Sequence, residues 1–377
     1  MFLALLCNLV RYRFSRRPGK FPAACPSPRD KPDAIPGQAM MQEESKVACI
    51  GAGNLTKGML YPLFTEAGYD VTIVCLTEKS YRSLQGGYSY LEVGRNVCKK
   101  EYPDVKVRLL KDMRRDELAT FRYITTAVGR DNMGRVADRL AEQPLRLEQR
   151  VFMCENDLES FRLLRPLTEN VHVSVVDRIV FYENPKEVVG EEYYSFEIFS
   201  KQNIPLPDFM GRSGDFERDF TKKWYLVNTL HVITAWYAYF LGYETINEAL
   251  ASPDVLAFVQ SVSEELVTIL RHKYPDAPSE EFQTFARKCI QRFGNKNLND
   301  RVLRVGRNTL NKLGPDERLL DPILYARKFG LPHTSLLQSS SYGLLFYADR
   351  ERVKHDLRKQ ENIFSYIEST AEAAPCL

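Results

Sequence analysis

Three polar side chains interrupt a very apolar stretch in the second half of the chain. Lys223, Asn228 and His231 lie within residues 219–242, which are otherwise mostly aromatic and aliphatic. On an α-helix, at about 100° per residue, Asn228 lies ~140° from Lys223 and His231 ~80° from it, so all three can point to one broad face. Apolar surroundings lower the pKa of a lysine and suit it to accept a proton near neutral pH. An amide and an imidazole beside it can hold and polarise a hydroxyl or carbonyl group.

Each of these residues also has a purely structural explanation. Lys223 follows Lys222, and the two could form a solvated pair at the start of a helix. Asn228 could be a buried amide satisfied by the backbone, and His231 could be a core or interface histidine. The three residues alone leave both interpretations open.

A glycine turn near residue 50 has the pattern of a dinucleotide-binding site. A short apolar strand, residues 46–50, runs into a Gly-Ala-Gly-Asn-Leu turn and a helix, and a second strand follows at residues 70–76. Gly51 permits the sharp turn, Gly53 lets the backbone approach a pyrophosphate, and the helix N-terminus offers free N–H groups to that anion. An α/β unit whose glycines only serve packing is the alternative.

Two later apolar segments predict further strands of the same sheet. Residues 123–129 end in small side chains, which fit the place where a cofactor crosses the sheet edge. Residues 150–156 end in Asn156, which would lie in the crevice or cap the next helix. The predicted cofactor-binding residues are therefore Gly51, Ala52, Gly53, Asn54, Leu55, Gly58, Thr126 and Val128.

Two departures from the usual fingerprint concern the choice of dinucleotide. Thr56 occupies the place of the third glycine, and Cys75 occupies the place of the acidic residue that ends the second strand. Without a carboxylate there, the ribose 2′-hydroxyl loses its usual acceptor. Lys79 or Arg82 could then meet a 2′-phosphate. NAD is the predicted cofactor, and NADP stays open because of Cys75.

The spacing K-x4-N-x2-H of Lys223, Asn228 and His231 resembles the motif of the polyol-specific long-chain dehydrogenase, or mannitol dehydrogenase, family. Residues 51–58, 154–156, 176–179 and 292–319 agree with the same family, and the resemblance covers about residues 46–350. It implies metal-free hydride transfer between a nicotinamide cofactor and a polyol or ketose. Lys223 would be the general base. Asn156 and Asn228 would stabilise the developing alkoxide, and His231 would orient the substrate.

The resemblance also implies a substrate class. The sugar-phosphate branch of the family interconverts mannitol 1-phosphate and fructose 6-phosphate, and the absence of long insertions suits that branch. Alternatives are an unphosphorylated polyol or a hexuronate (mannitol/fructose, fructuronate or tagaturonate), or a non-catalytic nucleotide-binding member, motivated by Cys75 and Thr56. Lys296 replaces a proline common in the family. The candidate phosphate contacts are Arg178, Lys296, Arg301, Arg304 and Arg307, each of which could instead form a surface or interdomain salt bridge.

The distribution of charge limits the range of partners. The chain has 377 residues with 52 basic and 49 acidic side chains, and its formal charge of +3 comes entirely from residues 1–45. A neutral body argues against a nucleic-acid binder. The longest apolar run at the N-terminus, residues 2–10, is too short to span a bilayer. We therefore expect a small-molecule polyol or sugar-phosphate substrate, no nucleic acid and no membrane, with the oligomeric state open.

Length, cysteine usage and patterning predict the domain organisation. Eight cysteines without a CxxC pair argue against structural zinc and a disulfide framework, and favour a reducing, cytoplasmic compartment. Residues 1–45 are predicted to be a disordered tail, either a targeting peptide or an extension upstream of a true start at Met40 or Met41. Residues 46–198 are predicted to form an α/β Rossmann-type dinucleotide-binding domain. Residues 199–377 are predicted to form a mainly α-helical substrate and catalytic domain.

Overall fold

The computed structural model describes residues 45–350, apart from 143–144, 147, 157–158, 165–169, 185 and 201. The prediction made for the N-terminal tail therefore lies outside the described residues, except at Ser45.

A large, mostly parallel sheet forms the first part of the described chain. In spatial order its strands are Gly211–Arg212 (β12), Ser195–Phe199 (β11), Val171–Asp177 (β8), Arg150–Met153 (β7), Tyr123–Thr126 (β6), Lys46–Ile50 (β1), Asp70–Cys75 (β2) and Lys106–Leu109 (β5). Neighbours from β8 to β5 are parallel, and β11 runs antiparallel to β8. Helices cover both faces of a parallel sheet, so β1 is an uninterrupted apolar run that is buried from Val47 to Ile50.

The strand order reverses at β1, which places a crevice at the carboxyl ends of the central strands. β1 lies between β6 and β2, and Ile50 at its end pairs with Thr126 and with Val74. Ligands of open α/β sheets bind at such a reversal. The predicted Rossmann-type architecture is confirmed, and it brings the glycine turn to this edge.

A second sheet of four strands was not predicted. It consists of Tyr88–Val93 (β3), Val97–Tyr102 (β4), Val180–Asn184 (β9) and Glu187–Glu191 (β10), in the order β4-β3-β10-β9. The sheet packs on the first helix, where Val180 approaches Gly58 and the Tyr88 hydroxyl donates a 2.8 Å hydrogen bond to the Lys57 carbonyl. The sheet joins two neighbouring strand pairs, β3 with β4 and β9 with β10, through a parallel contact between β3 and β10. These two pairs are far apart in the sequence, so the contact between them was not predicted.

Helices connect the strands of the large sheet and form most of the chain after residue 212. The first part contains a π-helical turn at Thr56–Leu60 that continues into Tyr61–Glu66 (α1), a 3₁₀ turn at Leu110–Asp112, and the helices Glu78–Leu84 (α2), Arg115–Leu118 (α3), Arg130–Ala141 (α4) and Glu159–Leu164 (α5). The second part contains Phe216–Lys223 (α6), a π-helical segment at Trp224–Thr229, Leu230–Phe240 (α7), Ile246–Leu250 (α8), Pro253–Lys273 (α9), Glu281–Phe293 (α10), Val302–Gly306 (α11), Thr309–Lys312 (α12), Leu320–Phe329 (α13) and Thr334–Arg350 (α14).

The helical part has its own apolar core around α7. Trp236 at its centre is fully buried, and its indole N–H donates a 2.9 Å hydrogen bond to the Gly306 carbonyl on α11. The mainly helical character predicted for this part is confirmed. The division at 198/199 stays a prediction, because β12 continues the large sheet beyond it. No helix in the described ranges is long and apolar enough to cross a membrane.

Candidate active site

A cavity of about 400 Å³ brings together the four predicted catalytic residues and part of the predicted cofactor site. Asn54 and Leu55 of the glycine turn reach it. The lining also includes Asn156, Asp177, Arg178, Val180, Lys223, Asn228, His231, Arg304, Arg307, Lys312 and Arg318. The sequence motifs therefore meet in space, although residues 54 and 318 stand at opposite ends of the described chain.

The helix that carries the K-x4-N-x2-H motif is not the continuous α-helix that the sequence predicted. The backbone is α-helical up to Lys223, π-helical over Trp224–Thr229 and α-helical again from Leu230. A π-helix repeats its contacts every five residues, so Lys223 and Asn228 lie one turn apart on the same side. Thr229 supports this segment, because its hydroxyl donates a 3.2 Å hydrogen bond to the Trp224 carbonyl. The predicted angle of ~140° between Lys223 and Asn228 is therefore wrong, because it assumed an α-helix where the backbone is π-helical.

Lys223 is buried and held by one hydrogen bond. The residue is only 6% exposed, and its Nζ donates a 2.6 Å hydrogen bond to Asn156 Oδ1. Burial lowers the pKa of Lys223 to about 8, and nearby Asp177 partly opposes this shift. Near neutral pH such an amine can exchange a proton with a substrate hydroxyl, while the bond to Asn156 fixes its direction.

Asn228 and His231 offer polar atoms next to the amine. Asn228 Oδ1 is buried and has no hydrogen-bond partner among the described residues. His231 stacks on Phe293 with ring centroids 4.6 Å apart, and its Nε2 lies 3.2 Å from Asp300 Oδ2. A buried amide oxygen without a partner is costly in a finished structure, so a bound ligand is expected to satisfy it.

Asp300 stays ionised behind His231. Burial alone would raise the pKa of its carboxyl, but Arg304, 2.6 Å away, together with His231 lowers it to about 2. A permanent carboxylate at this distance restricts the rotation of the imidazole. Asp300 was not predicted as a site residue, because its contact with His231 joins segments about seventy residues apart.

A buried ion cluster adjoins the site and reaches the cavity through Asp177. Both nitrogens of the Arg292 fork contact Asp177, at 2.6 and 2.9 Å, and Nη2 lies 2.6 Å from Glu191 Oε1. The ring of Tyr193 lies 4.1 Å from the guanidinium carbon. Arg292 is the penultimate residue of α10, whereas Asp177 and Glu191 end β8 and β10. The cluster therefore joins the helical part to both sheets directly beside Lys223.

The glycine turn has the space that a pyrophosphate needs. Gly51 has φ +111°, and an added Cβ would lie 2.2 Å from the Ala127 carbonyl oxygen. An added Cβ at Gly53 would meet no atom within 4 Å. Gly51 is thus required by the fold, while Gly53 leaves open space at the start of the helix over residues 54–66, where N–H groups point outward. These residues fit a dinucleotide.

The remaining predicted cofactor residues fall into two groups. At the crevice, Thr126 is buried with no partner for its hydroxyl among the described residues, and the Val128 N–H donates a 2.7 Å hydrogen bond to Glu155. Away from it, Gly58 is a packing position, where an added Cβ would lie 2.1 Å from Val180. The structure also places the Ala52 carbonyl 3.2 Å from the Tyr182 hydroxyl, which donates to it.

The cavity wall carries far more positive than negative charge. Six basic residues line it (Arg178, Lys223, Arg304, Arg307, Lys312 and Arg318), against the single carboxylate of Asp177. Of the five predicted phosphate contacts, three reach the cavity, whereas Lys296 and Arg301 are exposed elsewhere. Lys312 and Arg318 also line the cavity but were not predicted, although both lie in the stretch that carries the family resemblance.

The cations of this wall differ in how far they are already paired. Arg178 lies 2.6 Å from Glu92, and Arg304 pairs with Asp300. Arg318 stacks over Trp224 with its guanidinium carbon 4.4 Å from the ring centre. Arg307 makes no hydrogen bond or ion pair within the part of the chain that the structure describes. It is the cation most available to an anionic ligand.

No metal-binding cluster accompanies this site. Within residues 45–350, as far as they are described, no group of three or more His, Cys, Asp or Glu side chains could hold a metal ion. The functional groups that are present are an amine, two amides, an imidazole and several guanidinium groups. They suit proton exchange and the binding of hydroxyl, carbonyl and phosphate groups.

Sequence comparison relates the chain to known dehydrogenases. The family model of the mannitol dehydrogenase C-terminal domain matches residues 218–374. A mannitol-1-phosphate 5-dehydrogenase of Anoxybacillus flavithermus is 30% identical over 328 residues, covering 79% of this chain and 86% of that protein. One of Caldanaerobacter subterraneus is 28% identical over 373 residues, covering 87% of this chain and 95% of that protein.

Structural comparison shows the same fold in solved dehydrogenases. Mannitol 2-dehydrogenase of Pseudomonas fluorescens, solved with NAD and D-mannitol, superposes with a TM-score of 0.64 at 14% identity, covering 80% of this chain and 79% of that one. A D-sorbitol dehydrogenase superposes with a TM-score of 0.60, also at 14% identity, and 80% of each chain is covered.

Proposed function

Because the chain belongs to the mannitol dehydrogenase family, we propose that this oxidoreductase interconverts mannitol 1-phosphate and fructose 6-phosphate. The observation that carries the choice of a phosphorylated substrate is the cavity wall, with six basic residues and one carboxylate. An unphosphorylated polyol needs hydrogen-bonding groups but has no use for such an excess of positive charge. A phosphate dianion does, and guanidinium groups bind it well.

Lys223 is the proposed general base for oxidation of the hydroxyl at carbon 5. Its neutral amine donates one N–H to Asn156 Oδ1 and accepts the hydroxyl proton on its lone pair. A nicotinamide dinucleotide held at the glycine turn would supply the acceptor for the hydride from the same carbon. In the reverse direction the ammonium returns its proton to the oxygen of the ketose.

Three neighbours are proposed to position the substrate. The amide nitrogens of Asn156 and Asn228 donate hydrogen bonds to the developing alkoxide. These hydrogen bonds are stronger in the buried site than they would be in water. Asn228 Oδ1 accepts a hydrogen bond from a substrate hydroxyl, which would satisfy its unpartnered state. His231, held between Phe293 and Asp300, orients the substrate hydroxyl next to Lys223.

Turnover assays on the purified protein test the substrate. Oxidation of NADH and of NADPH is followed with fructose 6-phosphate, fructose and fructuronate in turn. We expect turnover with fructose 6-phosphate and a much lower kcat/KM with fructose. A higher kcat/KM with fructose would refute the sugar-phosphate assignment. No turnover with any pair, together with tight dinucleotide binding, would refute the enzymatic function.

Removal of the Arg307 cation should weaken only the binding of the substrate phosphate. Arg307→Ala is expected to raise KM for fructose 6-phosphate by about tenfold, because one charge-assisted hydrogen bond is lost. The kcat should stay unchanged, and so should the slow reaction with fructose. Steady-state kinetics with both ketoses measure this.

The exposed Lys296 is a matched control for Arg307. It is a cation of the same region that does not line the cavity, so Lys296→Ala should leave both parameters unchanged. An equal rise of KM in both variants would indicate long-range attraction of the anion instead of a contact. An unchanged KM in Arg307→Ala would remove Arg307 from the site.

A further inference from the structure

The end of β2 lacks the carboxylate that a ribose 2′-hydroxyl needs. Cys75 ends this strand and is fully buried. The next carboxylate along the chain, Glu78, extends to Lys111, and their charged atoms lie 2.8 Å apart. The carboxylate that usually recognises the ribose of NAD is therefore missing from the end of β2, and Glu78 is engaged with Lys111.

A buried lysine occupies the same corner. Lys57 belongs to the π-helical turn after the glycine turn and is only 3% exposed. Lys57 and Cys75 are close enough for each to shift the pKa of the other. The Lys57 Nζ lies 4.1 Å from the centre of the Tyr182 ring. Among the described residues this ammonium makes no hydrogen bond or ion pair.

Burying an ammonium group without a counter-ion costs free energy, so the charge state of Lys57 and its surroundings need an explanation. Burial lowers the pKa of Lys57 to about 8, so near neutral pH most of it remains charged. The aromatic ring of Tyr182 supplies only a partial electrostatic partner. Simple packing does not need a charge here, since a methionine would fill the same space. An anion brought by a ligand would complete the site.

We propose that this corner binds the 2′-phosphate of NADP(H), with Lys57 as its buried contact. The inference rests on the proposed function only in taking a nicotinamide dinucleotide as the ligand. The exposed Lys79 and Arg82 of α2, predicted from the sequence for this role, can supplement Lys57 from the solvent side. Lys186 cannot replace it as readily, because its Nζ already donates to two backbone carbonyls, at 2.8 and 3.2 Å.

Binding measurements without polyol or ketose separate this inference from the catalytic one. Isothermal titration of the full chain with NADP+ and NAD+ should show at least ~10-fold tighter binding of NADP+, the gain from one charge-assisted contact. The same ratio should appear between 2′,5′-ADP and 5′-AMP, which differ only by the 2′-phosphate. Lys57→Met should weaken binding of the 2′-phosphorylated ligands by about tenfold and leave NAD+ unchanged.

Two further variants complete the test. Lys106→Met is the matched control, because Lys106 pairs with Asp70 at the opposite end of β2; its affinities should equal those of the unmodified chain. Cys75→Asp places a carboxylate at the ribose corner, next to Lys57, and should reverse the preference toward NAD+. It also tests the site if Lys57→Met fails to fold.

Three results would overturn the inference. Tighter binding of NAD+ than of NADP+ by the unmodified chain would exclude a built 2′-phosphate site. An equal loss of affinity for both dinucleotides in Lys57→Met would indicate that Lys57 contacts the pyrophosphate, which both ligands share, and not the 2′-phosphate. Unchanged affinities in that variant, with its fold intact by circular dichroism, would reduce Lys57 to a packing residue.

Discussion

Replacing Lys223 with Met is expected to lower kcat for polyol oxidation by about 10²–10⁴-fold, the usual contribution of a positioned acid–base group. Methionine keeps the length and the buried stem of the side chain but cannot accept a proton. Dinucleotide affinity should not change, because the glycine turn and β6 are untouched. Kinetics at saturating substrate and a separate titration of the dinucleotide measure the two effects.

The pH dependence gives the same prediction a second readout. Burial lowers the pKa of Lys223 to about 8, and oxidation requires the neutral amine. The oxidation rate should therefore rise with pH and level off above about 8. Reduction of the ketose requires the ammonium, so its rate should fall over the same range. In Lys223→Met both transitions should disappear.

Lys222 provides the control, one residue away on the same helix. Its Nζ contacts Asp219 at 3.0 Å and Glu281 at 2.7 Å, and these partners outweigh burial and raise its pKa. Lys222→Met should keep both kcat and the pH profile. If Lys223→Met retained full activity, or if both variants lost it equally, Lys223 would not be the base.

The sequence located the chemistry but could not give its local geometry. The spacing of Lys223, Asn228 and His231 was readable because it lies within one helix. The prediction assumed α-helical periodicity, because no local sequence pattern indicates a π-helical segment. That segment depends on contacts with distant residues, such as the hydrogen bond from the Thr229 hydroxyl to the Arg318 carbonyl. Asn156 could be placed near the crevice only from the topology of the sheet.

Contacts between segments that are distant in the sequence could not be predicted. The large parallel sheet followed from strand–turn–helix patterns, each complete within about thirty residues. The second sheet pairs β3 with β10, almost one hundred residues apart, and nothing in either strand specifies its partner. The same holds for Asp177, Glu191 and Arg292, whose charges were visible but whose mutual contact was not.

Replacing Arg292 with Met is expected to lower the free energy of unfolding by about 3–5 kcal/mol, the typical loss when one partner of a buried ion cluster is removed. The side chains of Arg292, Asp177 and Glu191 are 7%, 5% and 4% exposed, so water cannot replace the guanidinium. Two carboxylates would be left facing each other. Urea unfolding followed by tryptophan fluorescence and by circular dichroism measures the loss.

The same change should alter the titration of Lys223 in a direction that a simple packing defect would not. Asp177 raises the pKa of Lys223 and Arg292 lowers it, so loss of Arg292 should move the rise of the oxidation rate to higher pH. Arg292→Lys keeps the charge but loses the two-pronged contact, and should restore the pH profile better than the stability.

Arg287, on the exposed side of the same helix, tests whether the effect is specific to the buried cluster. Its only ion pair among the described residues is with Glu280 at 3.9 Å, so Arg287→Met should change the unfolding free energy by no more than about 0.5 kcal/mol. A loss below about 1 kcal/mol in Arg292→Met would be too small for a broken buried ion pair. It would mean that other groups or water compensate Asp177 and Glu191, and that the cluster does not join the helical part to the sheets.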